Sequence, residues 1–318
     1  MDREYENKIV LIVRETRLDD LILRYNTLGQ AQFYIEHLGA DFSDYLVEDK
    51  IYKSSVSRAR QILTRFGRVQ VLHRRFVPDF IFGNKDLIVV LGQDGLVANT
   101  MKYLDNQYVI GVNPDPERWD GVLLPFQVSD LEQIVLEVFA GKRPISTITM
   151  AKASLSDGQS LCAVNDFFIG AQTHVSARYT ISINNRTEDH SSSGIIVSTG
   201  LGSSGWLKSI LTGAAGITSA AGIKSAVAQS SLSFDSDLKC DWDTDHLYFS
   251  VREPFPSKTT STDLVFGEIT RQEPMILLSK MPGNGVIFSD GVENDYLKFN
   301  SGMTAKITLS DKCGHFIV

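Results

Sequence analysis

Short apolar runs alternate with helical stripes through the first 143 residues. KIVLIV (8–13), RVQVLH (68–73), DLIVVLG (86–92) and QYVIGVN (107–113) read as strands. SSVSRARQILTRFG (54–67) places Val56, Ala59, Ile62, Leu63 and Phe66 on one helical face, with Gly67 positioned to stop it. LVANTMKYL (96–104) fits a second helix, and SDLEQIVLEVFAG (129–141) opens with a capping box at Ser129 and Glu132 and closes at Gly141. Strand and helix in alternation predict a parallel sheet covered on both faces. Beyond Pro144 the pattern changes to short strands with turn residues between them: ISTITMAKA, SLCAV, ARYTISI, GIIVST, HLYFSV, DLVFGEI, MILLS, GVIFSD and AKITLS. One stretch, GWLKSILTGAAGITSAAGIKSAVAQS (205–230), is rich in Ala, Gly and Ser and reads as one or two helices or a close-packed loop. The chain therefore divides into a Rossmann-like α/β domain over 1–143 and a β-rich, sandwich-like domain over 144–318.

Bulk properties narrow the classes. A length of 318 residues suits two domains with real cores, and a formal net charge of −7 disfavours a general nucleic-acid binder. No apolar run approaches the ~20 residues of a membrane span, and the charged start MDREYENK is no signal peptide. Cys162, Cys240 and Cys313 are widely spaced, which fits reduced thiols and a cytoplasmic protein. The six histidines lack zinc spacing, so no protein-bound metal is expected. Asp241, Asp243 and Asp245 suggest a calcium loop, but its sixth and twelfth positions hold His246 and Arg252 where Gly and Glu are required. Arg58, Arg60, Arg65, Arg68, Arg74 and Arg75 read mostly as the wet face of a helix and its flanks.

Three short motifs carry candidate chemistry. LGQDG (91–95) closes a buried strand with one carboxylate, Asp94, between Gly92 and Gly95, beyond the carboxyl end of a strand, where open α/β sheets bind ligands. Asp94 is equally suited to be a helix cap. STGLGSSGW (198–206) follows a strand and surrounds glycines with hydroxyls, a set of donors for ribose or phosphate. Gly200, Gly202 and Gly205 match a dinucleotide fingerprint in spacing, yet they lie in the β-rich half and the first acid beyond them is Asp235. GITSAAGIKS is not a P-loop, because Ile223 separates Gly222 from Lys224. Asn165–Asp166 is a polar pair between two apolar runs, an ordinary Asx turn if taken alone.

Together, the order and spacing of these motifs resemble the NAD kinases. Similarity to the mitochondrial-type branch is carried by GVNPDPERWDG (111–121), SSGIIVSTGLGSSGW (192–206), YFSVREPF (248–255) and VIFSDG (286–291). The resemblance implies transfer of the ATP γ-phosphoryl, as the Mg2+ complex, to the 2′-hydroxyl of the adenosine ribose of NAD. It implies Asp94 as general base, with Gly92 and Gly95 allowing close phosphate approach and Gln93 facing the donor. Asn165 and Asp166 would hold ribose or adenine, and Thr199, Gly200, Gly202, Ser203 and Ser204 would line the dinucleotide. Asn113, at the end of the next strand, would lie near the same crevice. Self-association into a dimer or larger is also implied.

Two departures stand out. Gln93 replaces the second glycine of the usual Gly-Gly-Asp-Gly, and Ser193 stands before Gly194 where many relatives have Asp. A side chain at 93 disfavours positive φ, so a different turn or strain of roughly 1–3 kcal/mol is expected. A kinase of a lipid or sugar hydroxyl, a catalytically silent dinucleotide binder and a dehydrogenase remain as alternatives.

Overall fold

The computed structural model describes residues 7–222, 241–292 and 295–318. They form two compact units, Met1–Ser146 with Gly314–Val318, and Thr147–Cys313.

The first unit runs β1 (Lys8–Val13), α1 (Arg17–Tyr25), α2 (Leu28–His37), α3 (Ser43–Leu63), β2 (Arg68–His73), β3 (Leu87–Leu91), α4 (Asp94–Met101), β4 (Tyr108–Asn113), β5 (Phe126–Gln127) and α5 (Leu131–Phe139). Strands β2, β1, β3 and β4 pair in that order, all parallel, with Ile9 opposite Leu87 and Ile88 opposite Val109. The continuous apolar runs of β1 and β3 are buried, as a sheet covered on both faces requires. Ile9, Leu11, Val89 and Leu91 pack with Tyr52, Ala59 and Leu63 of α3 and Leu131, Ile134 and Val135 of α5.

Helix α3 begins at Ser43, well before the periodicity at 54 discloses it, because its first half carries a polar stripe toward the strand ends. Gly67 does not end it. Thr64 is the C-cap, and a Cβ at 67 would overlap the Asn7 carbonyl oxygen, so a close backbone crossing is what needs the glycine. The capping box before α5 is formed by Gln127 and Asp130, not Ser129 and Glu132; the Gln127 N–H donates to Asp130 Oδ2 at 2.8 Å. Gly141 ends α5 at φ +64°, the left-handed conformation that glycine favours there.

The second unit contains β6 (Ile145–Leu155), β7 (Ser160–Ala163), β8 (Asp166–Ala171), β9 (Ala177–Ile183), β10 (Arg186–Ser192), β11 (Ile195–Ser198), α6 (Trp206–Ala220), β12 (His246–Val251), β13 (Phe266–Thr270), β14 (Met275–Ser279), β15 (Gly285–Ser289), β16 (Tyr296–Lys298) and β17 (Thr304–Ile317). One antiparallel sheet is ordered β13-β12-β11-β8-β15-β16. In the facing sheet β10, β9, β14 and β17 are neighbours, with β6 on β17 and β7. Phe167, Ile195, Val197, Phe249 and Ile287 from the first meet Tyr179, Ile181, Leu277 and Ile307 from the second in one core, a sandwich. The end of β17 returns to the first unit, where His315 and Phe316 pair in parallel with Tyr108 and Val109.

Strand β10 (RTEDHSS) is too polar for its alternation to be read from sequence, although His190 and Ser192 are buried. The Ala/Gly/Ser-rich stretch is helical over 206–220, and its remainder from 223 lies outside the described residues. Among the described residues no helix is long and apolar enough to cross a membrane.

Candidate functional site

In the first unit the strand ends are tied together by one face of α3. Asp44, Glu48, Tyr52 and Ser55 follow one another along that face, roughly one helical turn apart. The Tyr52 hydroxyl donates to the Leu91 carbonyl at 2.9 Å and accepts from the Arg14 N–H at 2.8 Å, linking the ends of β1 and β3. Ser55 Oγ donates to the Pro114 carbonyl just beyond β4. Buried Glu48 receives Arg14 at 2.8 Å and Arg17 at 2.5 Å, and Asp44 receives Arg17 and Arg118. Hydrogen bonds from Arg118 and then Arg17 hold the Asp44 carboxyl far below the usual carboxylate range.

Leu91 leads directly into the glycine turn. Gln93 is the N-cap of α4, at φ −119° and ψ 161°, an ordinary extended conformation. At this φ the turn needs no glycine at 93, and it is unstrained. The cap residue is Gln93 rather than Asp94, and its side chain makes no capping bond. Asp94 is the first residue of the helix and accepts N–H groups from Val122 at 3.0 Å and Leu123 at 2.8 Å. It therefore holds the 114–124 loop while each oxygen keeps a lone pair. Gly92 is crowded only by the Leu96 side chain, and nothing lies within 4 Å of a Cβ placed on Gly95. Gln93, Asp94 and Gly95 line a cavity of about 290 Å3 with Trp119, Asp120, Gly121 and Leu124. Asn113 is buried and fastens the same loop: its Nδ2 donates to the Trp119 carbonyl at 2.8 Å, and its Oδ1 accepts from the Asp115 N–H.

In the second unit the Asn165–Asp166 pair and the 199–204 loop are packed backbone to backbone. The Thr199 N–H donates to the Asn165 carbonyl at 2.9 Å, and the Thr199 hydroxyl donates to the Val164 carbonyl at 2.6 Å while accepting from the Gly202 N–H. A Cβ at Gly202 would overlap the Asn165 carbonyl and stand 2.8 Å from Asp166 Oδ1; at Gly200 it would overlap the Asp241 carbonyl. These glycines permit a chain crossing, so Gly202 faces Asn165 and is not open to a ligand. The hydroxyls of Ser203 and Ser204 donate to the Gly200 and Leu201 carbonyls, at 2.7 and 3.3 Å.

Asn165 and Asp166 border a cavity of about 610 Å3 whose walls also include Phe168, Ser193, Trp206, Arg252, Phe288 and Asp290. Phe168 lies nearly parallel to Trp206, 6.0 Å between centroids and 9° between planes, and contacts Phe288 at 6.1 Å. The Arg252 guanidinium covers Trp206 at 5.5 Å. Gly194, at φ +102°, lies where a Cβ would meet the Phe168 ring at 2.8 Å, so the ring wall depends on it. Asp290 accepts N–H groups from Val164, Asn165 and Asp166. Asp166 Oδ1 is buried and accepts no hydrogen bond. Burial raises the Asp166 pKa to about 7; the Ser198 hydroxyl opposes the rise and the Asp290 charge adds to it.

The structure brings Gly92, Gln93, Gly95 and Asp94 together in the first unit, with Asn113, at the end of β4, fastening the loop that Asp94 also holds. Asn165, Asp166, Thr199, Gly200, Gly202, Ser203 and Ser204 are brought together in the second. Sequence reasoning missed the aromatic wall of Phe168, Trp206 and Phe288, and it missed Asp290. The signal for Asp290 was the strand-ending Asp-Gly of VIFSDG; the rings carried none, Phe168 and Phe288 being core-like residues on strands and Trp206 the first residue of a helix. Among the described residues no group of three His, Cys, Asp or Glu side chains gathers as metal ligands.

No protein-family profile matches the sequence, and no curated protein does. The fold is similar to that of yeast NADH kinase, whose crystal structure was determined in complex with NADH. The superposition gives a TM-score of 0.56 at 13% identity and covers 99% of this chain and 84% of the kinase. The chain thus has the two-part architecture of that enzyme, a parallel α/β unit and a β-rich unit.

Proposed function

We propose that the protein is an NAD(H) kinase, transferring the γ-phosphoryl of ATP to the 2′-hydroxyl of the adenosine ribose. The observation that carries this reading is the fold likeness along 99% of the chain, joined to three motifs in the order NAD kinases use. Mg2+ enters with ATP, as part of the substrate. The closer likeness to the mitochondrial-type branch rests on the residues of the sequence alone.

In this reading the 610 Å3 cavity receives the adenosine part of the dinucleotide, whose base packs on the ring wall while ribose or base polar atoms meet Asn165, Asp166 and Ser193. Ser193 supplies a hydroxyl where relatives use a carboxylate. Asp94 takes the hydroxyl proton. Any carboxylate is a weak base for a ribose hydroxyl, so positioning and charge neutralisation supply most of the acceleration. Gln93 caps α4 with its side chain free of a capping bond and bordering the 290 Å3 cavity, so its amide can meet the phosphoryl donor.

The engagement of both Asp94 oxygens favours a second reading, a dinucleotide binder without turnover. Purified protein with NAD or NADH, ATP and Mg2+, read out by an NADP-specific dehydrogenase, separates the two. Steady NADP(H) formation supports the kinase; stabilisation by NAD in a thermal melt with no product supports the silent binder.

A further inference from the structure

The surroundings of the Asp166 carboxyl group suit a negative charge poorly. Its Oδ1 is sealed against Gly202 and receives no donor. The neighbouring Asp290 takes the opposite course: three backbone N–H groups, from Val164, Asn165 and Asp166, converge on its carboxylate, the arrangement that stabilises an ionised group. The two residues are locked together, with the Asp290 N–H donating to the Asp166 carbonyl at 3.0 Å. Two carboxyls so placed share charge unequally, and the member with fewer donors keeps the proton, on Oδ2 because Oδ1 is sealed. Both border the 610 Å3 cavity.

We propose that Asp166 serves the cavity as a neutral carboxylic acid, donating its O–H to an acceptor on the bound dinucleotide, such as a purine ring nitrogen or a ribose oxygen. Ionisation of Asp166 replaces that donor with a second negative charge beside Asp290, and affinity falls. The inference rests on reading the cavity as a dinucleotide site. Among the described residues packed around Asp166, Asp290 presents a charge acting on it and Ser198 a hydroxyl. His174, Arg252 and Glu253 line the same cavity. Burial lifts the Asp166 pKa to about 7, which sets the range in which the switch operates.

Infrared difference spectra, wild type minus Asp166→Asn, test the protonation without any ligand. A protonated-carboxyl band present at about pH 5.5 and lost by about pH 8.5 is expected. Should Asp166→Asn fail to fold, the same band is followed in wild-type protein by pH titration alone. Calorimetric NAD binding over the same range tests the donor role. Wild-type affinity is expected to weaken on the order of tenfold as the neutral fraction disappears, and the asparagine variant, a permanent donor, to stay flat. His174 lines the same cavity, so His174→Gln is the control and should keep the wild-type slope. Absence of the band, or parallel slopes in wild type and Asp166→Asn, overturns the proposal. A band with no NAD binding at any pH overturns the dinucleotide reading and leaves the protonation standing.

Discussion

Two stretches of this chain place an aspartate beside glycines, and they use the combination in opposite ways. At 92–95 the acid is well bonded and the last glycine is open: Asp94 takes two backbone N–H groups, and nothing lies within 4 Å of a Cβ on Gly95. At 165–166 and 199–202 the acid is bare on one oxygen and the glycines are filled: Asp166 Oδ1 has no donor, while Gly200 and Gly202 press against the Asp241 and Asn165 carbonyls. A glycine beside an acid therefore does not by itself locate a ligand. What distinguishes the cases is which of the two faces open space.

Valine at position 202 gives the largest expected effect. Gly202→Val forces a side chain into the Asn165 backbone, which cannot retreat without parting β8 from the 199–204 loop, and a loss on the order of 5 kcal/mol is expected. Thermal unfolding is the check; a variant that melts within a few degrees of wild type would mean that the crossing is looser than the structure has it.

Next in size is the pH dependence carried by Asp166. Between about pH 4 and 7 the unfolded chain has released this proton while the folded protein, with a pKa raised to about 7, has kept it. The folded state thus binds the extra proton, and stability falls as pH rises through the window, by up to roughly 4 kcal/mol. Asp166→Asn should remove that slope. Equal slopes in the two proteins, measured by denaturant melts at several pH values, would show that Asp166 ionises like an exposed acid.

Asp94→Asn should cost about 1–3 kcal/mol of stability, because the amide NH2 would oppose one of the Val122 and Leu123 N–H groups. An unchanged melt would detach Asp94 from the loop. Gly95→Ala is the smallest change. With open space and no positive φ, it should alter stability by less than about 1 kcal/mol, toward gain if anything, since alanine favours a helix. A large loss there would erase the contrast between the two glycine sets.

Much of this architecture was legible in the sequence because burial writes itself in apolar periodicity. β1, β2, β9, β12 and β14 begin and end where their apolar runs do. The first half of α3 was not legible, since Asp44, Glu48 and Tyr52 face the strand ends and are satisfied by partners distant in sequence. β10 was hidden for a similar reason, its inward residues being His190 and Ser192. The glycine motifs announced close approach, but whether backbone or ligand makes that approach is a tertiary fact. Likewise the ring wall of Phe168, Trp206 and Phe288 comes from three separate elements, and no local spacing joins them.

In the proposed reading the glycine turn of the first unit serves chemistry and the ring-walled cavity of the second serves dinucleotide binding. Steady-state NADP formation and NAD affinity, measured side by side for wild type, Asp94→Asn and Phe168→Ala, test it most directly. Asp94→Asn is expected to lower kcat by a factor on the order of 10²–10⁴ with NAD affinity nearly intact. Phe168→Ala is expected to weaken NAD binding on the order of tenfold, about 1.4 kcal/mol, with kcat within a few-fold of wild type. No NADP from the wild-type protein, or the same parameter moved by both substitutions, would contradict it.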